Sequence, residues 1–183
     1  YLYHHEMIVL NIISFYLLKM KLMEENHMTV NYIYRNTVQP SWIDHNNHMH
    51  DAQYYAVFSD SVVAFFEAMD FSVSRRKDQN ITIFSLEAHI TFLKELVLDE
   101  SFYVQPHIYD YDAKRVHLFL SMYNALDEPI ATYEIIMMAV NYQTRKSTIF
   151  PEDILTTIQQ QYETQAAFTP PKQLGHVIQI PRK

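Results

Sequence analysis

The sequence predicts an α+β domain in which an antiparallel sheet wraps one long central helix. Two patterns carry this expectation. From Ala52 to Met69, the residues Tyr55, Phe58, Val62, Phe65, Phe66 and Met69 recur at three- and four-residue spacing, giving one wide apolar stripe along a helix. Beyond residue 82 the period changes, and four runs rich in β-branched and aromatic residues follow one another with short turns between them. The chain has 183 residues, 49% of them hydrophobic, enough for one domain with a real core.

Residues 1–28 are expected to be an extension outside the domain, which is assigned to 29–183. Their apolar run, 7–18, has 12 residues. A membrane-spanning helix needs roughly 20, so no membrane association is expected, and an added helix is the leading reading. A secretory signal fits less well, because the run is preceded by YLYHHE rather than basic residues and no small-residue cleavage site follows. The chain begins with Tyr, and Met20, Met23 and Met28 are each candidate starts.

Residues 30–38 read as a strand. A polar loop with Pro40 as breaker leads into the helix. Residues 71–82 are expected to be a polar connection. Strands are expected at 83–93, 102–111, 116–124 and 129–142, with Asp99-Glu100, Asp112-Ala113-Lys114 and Leu126-Asp127-Glu128 at the turns. Spacing this short predicts a meander of antiparallel neighbours. Asp and Asn serve at turns where glycine is missing. A sheet with one apolar face needs a cover, which the single helix supplies. A terminal helix is expected over 152–166 and an extended tail over 168–183.

Composition excludes several function classes. The net charge of −7 argues against a general nucleic-acid partner, which requires a clustered basic surface. There is no cysteine, so disulfides, thiolate nucleophiles and cysteine zinc sites are ruled out, and a cytoplasmic location fits. Gly175 is the sole glycine. Dinucleotide fingerprints, phosphate-cradling loops and the nucleophile elbow of serine hydrolases all need several.

The segment 40–51, PSWIDHNNHMHD, gathers Asp44, His45, Asn46, Asn47, His48, His50 and Asp51 before the helix. Three readings stay open. Asn47 or Asp51 can cap the helix, with Asp51 the better candidate. His45, His48 and His50 with Asp44 can be drawn as a metal site, but no helical His pair spaced by four is present, and the reading adopted takes no metal. Thirdly, a helix N-terminus presents unpaired N–H groups that can hold an oxyanion, beside which a carboxylate can activate water or attack directly.

The stretch VQPSWIDHNNHMHDAQYY, residues 38–55, resembles the V-x-P-x-W-x-D-x-N-x-H-M pattern, followed by two aromatics, of the betainyl-CoA thioesterases, a hotdog-fold family. FSLEAHITFLKEL (84–96), DAKRVHLF (112–119) and GHVIQIPR (175–182) are similar to further segments of that family, so the resemblance covers about 30–183. One departure is Asn47, where the family pattern leads one to expect glycine. The resemblance implies a hotdog fold, no cofactor, and hydrolysis of a short polar or cationic acyl-CoA. It places Asp44 as the catalytic carboxylate, with Asn47, His48 and Met49 where carbonyl-polarising groups would sit. Glu87 and His89 are implied to face the same site from a neighbouring subunit of a homodimer or homotetramer. An ordinary solvent-facing strand position stays open for Glu87, and His117 is expected to pack beside the Lys114-Arg115 turn.

A quaternary ammonium is held by aromatic faces. Trp42, Tyr54, Tyr55 and Phe58 are candidates for this, with Trp42 first because it lies in the loop; core packing is the competing role for aromatics at helical spacing. Arg75, Arg76, Lys77, Lys114 and Arg115 are candidates for the CoA phosphates, against an ordinary solvated surface. Two rival functions stay open: a hotdog enzyme for another acyl group, including an enoyl-thioester hydratase, and a non-catalytic module that binds betaine or carnitine.

Overall fold

The computed structural model describes residues 32–180. The expectations for 1–28 fall outside them. The order is β1 (Tyr34–Thr37), a 3-10 turn (Pro40–Trp42), α1 (Asp51–Ala68), α2 (Val73–Asp78), β2 (Ile81–Phe92), β3 (Ser101–Tyr111), β4 (Arg115–Asn124), β5 (Pro129–Asn141) and α3 (Glu152–Thr164). Among the described residues no helix is long and apolar enough to cross a membrane.

Five strands form one antiparallel sheet in the order β1-β3-β4-β5-β2. The expected strands are present, but the four-strand meander is corrected. Only β3, β4 and β5 are consecutive neighbours; β2 pairs with β5 at the far edge and β1 takes the place beside β3. The cause lies in residues 93–100, which cross the end of the sheet instead of forming a hairpin. Leu93 and Lys94 donate their N–H groups to Ile130 O. Leu96 is fully buried, donates its N–H to Tyr54 Oη (3.0 Å) and accepts from Met49 N (2.8 Å). Val38 N donates to Glu100 O, which ties the crossing to β1.

Helix α1 lies on one face of the sheet. Its buried face is Tyr54, Val57, Phe58, Val62, Phe65 and Phe66, packed in one cluster with Val104, Leu118, Leu120, Tyr133 and Ile135. The predicted stripe is therefore out by one residue at its start: Tyr54 is in the core and Tyr55 is 47% exposed. Along the strands the burial alternates as the pleat requires. Val116, Leu118 and Leu120 of β4 face the helix, and His117 and Phe119 face the other way.

The polar connection 71–82 contains a helix the sequence reading missed. The Ser72 hydroxyl caps it by accepting from Arg75 N (3.2 Å). Arg75 clamps it by pairing with both Asp70 and Asp153. Positive φ falls on Asn47, Asp70, Asn80, Asp99, Asp127 and Arg145 besides Gly175. Five of these six non-glycine positions are Asn or Asp, the residues that tolerate the left-handed region best after glycine.

The tail after α3 runs across the outer face of the sheet, opposite α1. Gln165 exchanges two hydrogen bonds with the Ile108 backbone on β3. Phe168 stacks on His107 (centroids 4.3 Å) and meets Phe119 of β4 (5.5 Å). Gly175 N donates to Glu134 of β5 (2.7 Å), and His176 lies 6.1 Å from His89 of β2.

Candidate active site

The segment before α1 folds as a miniature hairpin. Ile43 and Met49 pair antiparallel, Asp44 N donates to His48 O (3.0 Å), and Asn47 N donates to Asp44 O (3.1 Å). A three-residue loop of this kind closes with a left-handed residue at its last position. Asn47 fills it, with φ +64°. Asn thus stands at a left-handed position where glycine was expected, a region Asn adopts at modest cost. Asn47→Gly is expected to change stability by less than about 1 kcal/mol, and Asn47→Val to cost about 1–2 kcal/mol; thermal unfolding of both variants checks this.

The Asp44 side chain is only 10% exposed. Its Oδ1 accepts from Asn46 N (2.7 Å) and its Oδ2 from the Asn46 side-chain amide (3.3 Å), and His48 Nδ1 lies 3.8 Å away. Desolvation pushes this carboxyl up, but the Asn46 hydrogen bonds and the neighbouring imidazoles of His48 and His45 outweigh it. The net result is a pKa below the usual carboxylate range. The group is thus held ready as an anion.

The hairpin feeds directly into α1. His50 is the N-cap, its Nδ1 accepting from Ala52 N (3.2 Å), and Asp51 Oδ1 accepts from the same N–H (2.8 Å). The capping role expected for Asp51 is thus shared, with Asp51 inside the first turn and His50 before it. Among the described residues, Asn47 N and Met49 N are already committed, to Asp44 O and Leu96 O, whereas the N–H groups of His48 and Asp51 donate to no protein acceptor. Of the three residues expected to polarise a carbonyl, His48 alone retains a backbone donor. The first residue of the helix, Asp51, adds another, one of the helix-start N–H groups expected from the sequence. A helix start leaves such donors by construction, which is the signal that points to them.

Residues β2 contributes lie elsewhere. Phe92 packs edge-on against Tyr54 of α1 (5.3 Å), so Phe92, Ile90 and Ala88 share the helix side of the sheet, while His89 and Glu87 face outward opposite Glu134 and Ile136. Glu87 is exposed and lines an outer-face groove of about 270 Å3 with Leu86, Asp110, Tyr111, Arg115 and Ile136. Within one chain neither Glu87 nor His89 meets Asp44. His117 does not simply pack on the Lys114-Arg115 turn; its Nε2 lies 2.9 Å from Glu134 Oε1.

The aromatic candidates divide. Phe58 is 0% exposed and stacks on Tyr133 (5.1 Å), and Tyr54 is 3% exposed with its hydroxyl on Leu96 N. Both are core residues with no face to offer a ligand. Tyr55 is half exposed, edge-on to Tyr133 (5.8 Å). Burial pushes the Tyr133 hydroxyl pKa up, and Tyr55 beside it adds to the shift. Trp42 is half-buried, tilted against Phe102 (6.4 Å).

The cations divide too. Arg76 is buried, with its guanidinium over the rings of Phe71 (4.8 Å) and Phe66 (5.6 Å) and its Nε on Phe71 O. Arg75 is held by its two aspartates. Arg115 grips Asp112 (Nε 2.8 Å), and that pairing holds the Asp112 carboxyl at a pKa of about 2. Arg75 and Arg115 are thus already neutralised and Arg76 is walled in, whereas Lys77 and Lys114 form no ion pair among the described residues. No group of three or more His, Asp or Glu side chains suited to a metal is gathered among the described residues: His48 turns to Met49 O and His50 to the helix start.

An antiparallel sheet around a central helix, with an ionised aspartate in the turn that opens the helix, defines a hotdog-fold protein with a candidate hydrolytic centre. The comparisons with known proteins make this specific. Residues 38–158 match the model of the thioesterase-like superfamily. The chain is 28% identical over 149 residues to a betainyl-CoA thioesterase of Pseudomonas aeruginosa, an alignment covering 81% of this chain and 94% of that one. A hypothetical protein from Staphylococcus aureus, solved in complex with CoA, superposes with a TM-score of 0.80 at 45% identity, covering 82% of this chain and 95% of that one. A candidate thioesterase from Pseudomonas putida superposes at 0.72 with 31% identity, covering 83% and 98%. The chain belongs to the thioesterase-like superfamily and is a thioester hydrolase.

Proposed function

We propose that the chain hydrolyses a short polar or cationic acyl-CoA, betainyl-CoA being the leading substrate, with Asp44 as the catalytic carboxylate. The observation that carries this is the Asp44 anion, ionised by Asn46 and the neighbouring imidazoles and set beside a helix start with unclaimed backbone N–H groups. The thioester carbonyl oxygen accepts from the His48 and Asp51 N–H groups. Water, deprotonated by Asp44, attacks the carbonyl carbon, and the oxyanion gains its negative charge against those donors. The C–S bond then breaks, and the CoA thiolate takes the proton from Asp44. Direct attack by the carboxylate to form an anhydride uses the same geometry; a single turnover in 18O-labelled water separates the routes, since only the anhydride route leaves label in Asp44.

The betainyl group is supported by the Pseudomonas aeruginosa relative, 28% identical, and by the aromatic faces left open once Tyr54 and Phe58 are assigned to the core. Trp42 and Tyr55 remain, and Trp42 is two residues from Asp44. Trp42→Ala is expected to lower kcat/KM for betainyl-CoA about 2- to 30-fold more than for a neutral acyl-CoA of equal size, the span of one cation–π contact. Equal losses on both substrates would assign Trp42 to general support of the hairpin. Lys114 and Lys77, which form no ion pair among the described residues, are the cations proposed for the CoA phosphates.

A panel of acyl-CoA substrates with a free-thiol readout tests the whole reading. A hydratase releases no thiol, and a binding module shows affinity without turnover. The same reading includes a homodimer or a dimer of dimers. Support comes from β2, a 12-residue strand at the sheet edge with Leu86 and Phe92 about half exposed. Long apolar edges pair with other chains unless they are covered. Native mass measurement at micromolar concentration checks the dimer.

A further inference from the structure

The last described residues carry large aliphatic side chains into solvent. Val177 is 74% exposed, Ile178 84% and Ile180 82%. Isolated exposed residues need no explanation, but three within four positions at the end of an ordered path do. That path has a direction. The tail meets β3 through Gln165, β4 through Phe168, β5 through Gly175 and β2 through His176. Each step brings it one strand nearer the β2 edge in the sheet order.

Two turn-type anchors fix this course. Gly175 adopts φ +66° and donates its N–H to Glu134, and the His176 ring follows onto His89. The residues beyond therefore leave the sheet at β2. If two β2 strands pair about a two-fold axis, the outer faces of the two sheets become continuous, and each tail points onto the other copy. Four extended residues span about 13 Å, against about 4.8 Å between strands. The arm is thus long enough to pass the partner's β2 and reach its β5.

The outer face holds a receptacle at that distance from the edge. It is the groove of about 270 Å3 between β2, β5 and the β3–β4 turn, with Leu86, Tyr111 and Ile136 as its apolar walls. Its rim carries Glu87 and Asp110, neither of which pairs with a cation among the described residues. The sequence following Ile180, Pro181-Arg182-Lys183, is basic.

We propose that residues 177–180 are an exchanged arm, which crosses the β2 edge and seats its aliphatic side chains in the groove of Leu86, Tyr111 and Ile136 on a second copy of this chain. This rests on the dimer proposed above. In that arrangement the arm lies beside Glu87 of the partner subunit.

The absence of native cysteine makes the test clean. Ile178→Cys and Leu86→Cys are made in separate, differently tagged chains of full length, mixed to exchange subunits and treated with a short bismaleimide. Covalent dimers carrying both tags are expected to dominate, with few in a mixture of Ile178→Cys and the exposed control Leu126→Cys. Ile178→Asp in the unlabelled protein is expected to raise the dimer dissociation constant about tenfold or more, as loss of a buried aliphatic side chain does. A dimer that gives no mixed-tag product, while a chain carrying both cysteines cross-links within itself, overturns the arm and leaves the dimer standing. A monomeric native mass overturns both. A dimer whose dissociation constant is unchanged by Ile178→Asp also rejects the arm.

Discussion

Asp44→Asn is expected to lower kcat by at least about a hundredfold, the lower range for loss of a positioned acid–base group and equal to about 2.7 kcal/mol of barrier. The substitution preserves the shape of the hairpin. The Asn oxygen still accepts from Asn46 N, and the backbone bonds of Asp44 N to His48 O and Asn47 N to Asp44 O do not involve the side chain. What it removes is the charge that takes the proton or attacks the carbonyl. Thermal unfolding should therefore move little while steady-state kcat collapses. Glu87→Gln is the informative companion, because Glu87 lies on the outer face of the sheet, away from Asp44 in its own chain. Near-normal kcat in Asp44→Asn with an inactive Glu87→Gln would move the catalytic carboxylate to β2. Full activity in both would refute the mechanism.

The pH profile carries a sign that follows from the same geometry. Hydrogen bonds from Asn46 and the nearby imidazoles hold the Asp44 pKa below the usual carboxylate range. The active anion therefore persists as pH falls, and the acidic limb of kcat/KM should lie below about pH 4, the ordinary aspartate value. A limb near pH 6 would instead report an imidazole or a desolvated carboxylate as the essential base.

The sequence was most legible where the information is local. The 3.6-residue stripe located α1 to within a residue at each end, and the β-rich runs located β2 to β5 to within about two. Asn47 could be singled out as the residue standing where a left-handed glycine was expected, and the hairpin requires that conformation. What escaped was decided by partners distant in sequence. Whether β2 pairs with β3 or β5 depends on Leu96 being buried under Tyr54, which turns residues 93–100 from a hairpin into a crossing. Helix α2 is too short to form alone and needs Asp153, 78 residues from Arg75, to hold it. The surroundings of the cationic candidates were hidden for a related reason. Composition shows Arg75, Arg76 and Arg115 as positive, but not that Asp153, Phe71 and Asp112 occupy them. At the site, Asp44 stands out in the sequence because it matches the family pattern and lies in the loop before the helix. The donors of the helix start were expected as a group; that the Asp51 N–H is the one left unclaimed depends on the fold.

The adjacent aromatics Tyr54 and Tyr55 show the limit of periodicity, and Phe58 turns that limit into a test. Either tyrosine can begin the apolar stripe; contact with Phe92 and the Leu96 N–H selects Tyr54. Phe58, four residues on, is consequently sealed against Tyr133. Phe58→Ala should cost about 3–5 kcal/mol, since both the transfer energy of the ring and the cavity left behind are lost. For a domain of this size that corresponds to a fall in Tm of roughly 6–20 °C. A ring that served as a ligand face would give a different outcome: a modest stability change with a selective loss of turnover on a cationic acyl-CoA. Thermal unfolding, together with kcat/KM per folded molecule measured well below the variant's Tm, separates the two. The core assignment requires a large fall in Tm and the same relative rates on charged and neutral acyl groups. A small fall in Tm with discrimination against the cationic substrate would return Phe58 to the binding site.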